Sequence, residues 1–75
     1  MNAYSFSAVV NTEIGKLRLD LWRSPDGEYF VEEAYFADTG ASFDPHEVAL
    51  RDGKGGWCSL ADYYADQGSD FDYGR

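Results

Sequence analysis

Between Asp62 and Tyr73 the chain interleaves carboxylates with aromatic rings: Asp62, Tyr63, Tyr64, Asp66, Asp70, Phe71, Asp72 and Tyr73 fall in one short segment. Spaced carboxylates can stand in for nucleic-acid phosphates on a surface of Arg and Lys. Exposed rings can stack on guanidinium groups where bases would otherwise lie. The plainer reading is that Tyr63 and Tyr64 cover a core and the aspartates form its solvated rim. A second carboxylate pair, Glu32 and Glu33, interrupts an otherwise apolar stretch. Strict alternation turns one of them toward Phe30, Ala34 and Phe36 and the other toward Tyr29, Val31 and Tyr35. Such a pair either matches Lys16 or Arg18 across a sheet or guards an edge strand against unwanted pairing.

Other chemistries fit poorly. A calcium loop needs ligands at alternate positions, then a Gly and a distant bidentate Glu. Asp66, Asp70 and Asp72 miss that register, and no Glu follows them. Adjacent strand residues such as Glu32 and Glu33 cannot face each other across a cleft as glycoside chemistry requires. His46 and Cys58 lack local signs of the orienting group and oxyanion donors that a Cys-His nucleophile needs. Their expected roles are loop capping or helix entry for His46 and packing beside Trp57 for Cys58. Gly53-Lys54-Gly55-Gly56 lacks the spacing of a phosphate loop. No catalytic residue, metal or cofactor is implied.

The charge balance points the same way as the acidic segment. The 75 residues carry 14 Asp and Glu against 6 Lys and Arg, a formal net charge of −8. That excess favours solubility and steers the molecule toward basic surfaces, of which nucleic-acid-binding grooves are the commonest. It disfavours direct binding to DNA or RNA, because Lys16, Arg18, Arg23, Arg51 and Lys54 are too few for a phosphate footprint. The length allows one small domain with no second core. Hydrophobic residues at 44% and aromatics at 17% are too many for a disordered chain. Cys58 is the one cysteine, which suits a reducing cytoplasm. No run approaches the roughly 20 apolar residues of a membrane span. Met1-Asn2-Ala3-Tyr4 does not read as the start of a signal peptide.

These side chains have to be positioned by elements that the pattern also marks. Tyr4, Phe6, Ala8 and Val10 alternate with Ser5, Ser7 and Val9, as in a half-buried strand over 4–10. Asn11 to Gly15 supplies a turn. Leu17, Leu19 and Leu21 then alternate with Lys16, Arg18, Asp20 and Trp22. Ser24-Pro25-Asp26-Gly27 is a further turn, and residues 28–37 read as a third strand, completing an antiparallel meander over 1–37. Residues 38–58 read as a loop with a short helix or strand. Asp44-Pro45-His46-Glu47 has the order of a helix start, whereas Val48 to Leu50, before the Asp52-Gly53 turn, favours a strand. Ser59 caps a helix that would run to Gln67 and stop at Gly68, with Leu60, Tyr63, Tyr64 and Gln67 on one face. Residues 69–75 read as a frayed tail. The expected fold is α+β: a three- or four-stranded antiparallel sheet with one C-terminal helix packed on it.

In size, acidity and strand-rich single-domain build, with Asp62 to Asp72 as its nearest signature, the chain resembles the small acidic anti-CRISPR proteins of phages. The resemblance implies a non-enzymatic inhibitor that occupies a basic nucleic-acid-binding surface of a larger protein, such as a Cas effector complex in the host cytoplasm. Asp62, Asp66, Asp70 and Asp72 would then meet Arg and Lys, Glu32 and Glu33 would form a second patch, and Tyr63, Tyr64 and Tyr73 would anchor the contact. The alternative is a structural module that pairs through a sheet edge as a homodimer or with a partner, burying the face that bears Trp22 and showing little salt dependence.

Overall fold

The computed structural model describes residues 2–73. Met1, where the pattern of a signal peptide is missing, and Gly74 and Arg75, expected as the end of a frayed tail, lie outside the described residues. Strands β1 (Tyr4–Thr12), β2 (Gly15–Arg23) and β3 (Tyr29–Phe36) form the antiparallel meander, and β4 (Ser42–Phe43) pairs with the end of β3. The alternation read from the sequence governs β1 and β2, whose register is unbroken. Leu17, Leu19 and Leu21 of the central strand are completely buried, while Lys16 and Arg18 face solvent. Removing each leucine from water contributes roughly 2 kcal/mol. Phe6 joins them from β1, and Val31 and Ala34 from β3.

The first turn is narrower than its composition suggests. Glu13 and Ile14 alone separate β1 from β2, and Gly15 adopts φ 120°, a left-handed conformation that side chains resist. The second turn is closed by Gly27 N–H donating to Ser24 O at 3.0 Å.

Alternation fails in β3, and the failure sets the direction of both glutamates. Asp20 opposes Glu33 but Leu21 opposes Val31, so Glu32 is the extra residue of a β-bulge. The core-facing set is therefore Tyr29, Val31, Ala34 and Phe36, with both Glu32 and Glu33 exposed. This corrects the expectation that the two carboxylates point to opposite faces. Nor is β3 an edge along its whole length, because Ala34 and Tyr35 pair with Phe43 and Ser42 of β4.

The fourth strand of the sheet is thus β4, in the segment expected to be a loop. The strand expected at 48–50 exists as β5 (Ala49–Arg51), but it pairs with β6 (Trp57–Ser59) in a separate two-stranded sheet. Asp44 to Glu47 makes a single turn, not a helix. Asp44 Oδ1 accepts from His46 N–H at 2.9 Å, and Glu47 N–H donates to Asp44 O at 3.1 Å.

Helix α1 (Leu60–Ala65) starts where the cap was expected, with Ser59 Oγ accepting from Asp62 N–H at 3.0 Å. Two more of the amides left open at a helix start find carbonyls in the segment before β5: Leu60 N–H donates to Val48 O and Ala61 N–H to Pro45 O. Leu60, Ala61 and Tyr64 bury this helix on the leucine face of the sheet.

The C-terminal segment departs most from expectation. The first helix ends at Ala65, with Asp66 as C-cap, and a second helix, α2 (Gly68–Tyr73), occupies the stretch read as a frayed tail. Gly68 starts that helix instead of ending the first one. A Cβ at this position would lie 2.4 Å from Tyr29 Cγ, so glycine is what allows α2 to approach β3.

Candidate acidic interface

The hairpin β5–β6 and helix α1 together gather carboxylates that lie far apart in the sequence. Asp62 is exposed in the first turn of α1 and Asp66 at its C-cap, one turn further on. Asp52, at the end of β5, folds back over the glycine-rich tip, and its Oδ1 accepts from Lys54 N–H at 2.7 Å and Gly56 N–H at 3.1 Å. A depression of about 300 Å³ is lined by Asp52, Asp62 and Asp66 together with Lys54, Cys58, Tyr63 and Gln67. In this lining the Cys58 thiol is pushed up from its ordinary pKa, first by burial and then by the charges of Asp52, Asp62 and Asp66. A thiol in such surroundings resists ionisation, the reverse of what a nucleophilic cysteine needs.

The end charges of α1 act in opposite senses. Asp62 lies in the first turn, where the helix dipole favours a carboxylate, and Asp66 lies at the C-cap, where it does not. The two are also four residues apart on one face, a repulsive spacing.

Of the remaining aspartates in the acidic segment, Asp70 is exposed on α2 whereas Asp72 is turned inward. Asp72 Oδ2 accepts from Tyr29 Oη at 2.8 Å and also from the hydroxyl of Tyr4. Tyr4 and Tyr29 flank Arg23 in the strand register, so this carboxylate closes one end of the core beneath α2. The Tyr4 hydroxyl is raised above its ordinary pKa chiefly by the Asp72 hydrogen bond, and that of Tyr29 chiefly by burial and then by Asp72. Arg23 opposes both shifts. The Arg23 side chain is itself buried, with Nη1 making no hydrogen bond among the described residues. Asp72 thus ties α2 to β1 and β3 through two tyrosine hydroxyls and is half-buried, unlike the exposed Asp70.

The aromatic residues divide in the same way. Tyr64 is only 7% exposed and belongs to the core, and Tyr63 packs edge-on against it, half-buried at the rim of the depression. Tyr73 is 82% exposed. The sequence reading missed Trp57, which is 64% exposed on β6 with the Arg51 guanidinium 5.3 Å from its ring centre. It also missed Asp52, read only as a turn residue. The Asp52-x-x-x-Gly56 spacing in a glycine-rich hairpin was the available signal.

Glu32 and Glu33 lie apart from this group. Helices α1 and α2 cover the leucine face of the sheet, while Glu33 projects from the opposite face beside Asp20. There Glu33 accepts from Tyr35 Oη at 3.0 Å, and Asp20 is held by Ser7 Oγ at 3.0 Å and Arg18 Nε at 3.6 Å. Arg18 thus pairs with Asp20 on its own strand and stacks over Tyr35 at 4.3 Å. Among the described residues, Arg18–Asp20 is the one ion pair, and no group of His, Cys, Asp and Glu is arranged to hold a metal. No helix among the described residues is long and apolar enough to cross a membrane. No protein-family model, curated protein or solved structure matches the chain.

Proposed function

We propose that this chain is a non-enzymatic binding protein that seats the acidic side of the β5–β6 hairpin and α1 on a basic, nucleic-acid-binding surface of a larger protein. The observation that carries this reading is the convergence of Asp52, Asp62 and Asp66 on one depression, with Lys54 the one basic side chain lining it. These carboxylates take the place of phosphates, and Asp70 extends the acidic surface along α2. Charge of this kind sets on-rate and specificity, whereas affinity comes from a few desolvated aromatic anchors. Trp57, Tyr63 and Tyr73 are exposed or half-exposed and serve as those anchors. Tyr64, packed in the core, and Asp72, tied to Tyr4 and Tyr29, hold α1 and α2 in place. The resemblance to small anti-CRISPR proteins makes a Cas effector complex, met in the host cytoplasm, the first partner to test.

The test is capture of partners by the tagged protein, eluted on a salt gradient with competing DNA or RNA and compared with an Asp62→Lys, Asp66→Lys variant. The expected result is a nucleic-acid-binding protein that elutes at modest salt and is displaced by the competitor. The double reversal should weaken its binding by about tenfold or more, since close charge pairs couple by upwards of about 1.5 kcal/mol. Undiminished binding by the reversed variant would refute the placement of the interface.

A further inference from the structure

We infer that the outer edge of β1, over residues 7–11, pairs antiparallel with β1 of a second copy of this chain, about a two-fold axis at Val9, joining the two sheets into one. Strand β1 is the terminal strand of the sheet, nine residues long, and its register with β2 is unbroken from Tyr4 to Thr12. Long, regular edge strands invite pairing, and proteins usually blunt them with charge, proline, bulges or brevity. The opposite edge of this sheet has such protection: β4 has two residues, and β3 carries Glu32 and Glu33 at its bulge. None of these devices is present in β1. In a chain of net charge −8, the sequence YSFSAVVNT contains no charged residue, no proline and no glycine.

The occupant follows from that distribution of charge and from the self-complementary order of residues 7–11. Two molecules of like charge approach at least cost where each is neutral, and β1 is the neutral edge. With the axis at Val9, antiparallel pairing sets Val9 against Val9 of the second copy, Ala8 against its Val10, and Ser7 against its Asn11. The same patch thus meets itself, as a two-fold interface requires. Val9 is 58% exposed on the uncovered face, and Ala8 and Val10 are only half-buried on the leucine face. The pairing therefore covers apolar side chains on both faces while satisfying backbone groups at the edge. Glu13 would lie beside Ser5 of the second copy, away from that copy's Glu13.

Light scattering coupled to size exclusion tests this over a range of protein concentration and salt. The expected result is a species of twice the 8.4 kDa chain mass that dissociates on dilution. Salt should favour it, because it screens the repulsion between copies. The acidic interface proposed above has the opposite salt dependence, so either reading can fail without the other. Val9→Lys sets two ammonium groups face to face on the axis and should leave a monomer whose circular dichroism is unchanged. Hydrogen exchange of the unaltered chain gives an independent reading: amides within residues 7–11 should lose protection on dilution while those of β2 keep it. A single 8.4 kDa species at every concentration, a dimer that survives Val9→Lys, exchange in β1 that ignores dilution, or open-ended larger assemblies would each overturn the inference.

Discussion

Replacing Gly68 with alanine tests whether α2 docks on the sheet as a structural element. The added Cβ would lie 2.4 Å from Tyr29 Cγ, 2.5 Å from its Cβ and 2.8 Å from its Cδ1. Ordinary contact between carbon atoms is about 3.5–4.0 Å, so the overlap exceeds an ångström at the root of the ring. Those atoms cannot swing aside as the end of a flexible chain would, and relief requires moving the β3 backbone or lifting α2. Overpacking of this kind costs about 1–3 kcal/mol. Lifting α2 would in addition strain the hydrogen bonds from Tyr4 and Tyr29 to Asp72. Against this stands the helix preference of alanine over glycine, at most about 1 kcal/mol and less at the first position of a helix. The net expectation is a loss of roughly 1–2 kcal/mol. In a domain of this size that corresponds to a fall in Tm of about 5–15 °C, measured by thermal unfolding followed by circular dichroism. Equal or higher stability in Gly68→Ala would refute the close approach of α2 to Tyr29, because helix propensity would then be the only effect left.

The tyrosines supply a pH prediction. Tyr4, Tyr29, Tyr35 and Tyr64 all have hydroxyls raised above the ordinary value of 10.0, so the folded state holds protons that the unfolded state has released. Their contribution to stability is present below pH 10 and is lost as pH rises through the folded values. Denaturant midpoints should therefore fall on the alkaline side, and phenolate absorbance of Asp72→Asn should show Tyr4 and Tyr29 ionising at lower pH than in the unaltered chain. Ser59→Ala removes the cap of α1 and should cost about 1 kcal/mol in chemical denaturation, with no change in the β-sheet signal. Asp62→Lys, Asp66→Lys should leave stability within about 0.5 kcal/mol, because the dipole loss at the N-terminus is offset at the C-cap. A larger fall in its denaturant midpoint would mean that the reversal acts through the fold and not through the interface. Val9→Lys should abolish self-association, as light scattering would show.

Neighbouring residues were enough to mark β1, β2, the turns between them and the cap at Ser59, because each depends on side-chain period or turn chemistry within a few positions. The buried Leu17, Leu19 and Leu21 and the solvated Lys16 and Arg18 follow from a period of two and nothing else. The charge that motivates the acidic interface is a property of composition and needs no fold.

Long-range packing decided the rest. One bulge at Glu32 reversed the face of every later residue in β3, and although the spacing of Val31 and Ala34 reflects it, only pairing with β2 locates it. Strand β4 is too short to show a period and exists because β3 offers it an edge. Asp70 and Asp72 look alike in sequence, yet one is exposed and the other is held by Tyr4 and Tyr29, since α2 can approach β3 where Gly68 leaves room. Asp52 joins Asp62 and Asp66 only because the β5–β6 hairpin carries it to the side of α1. Period and capping are written in adjacent residues and can be read along the chain. Which carboxylates face water together depends on contacts between residues far apart in it, and those form only when the chain closes on itself.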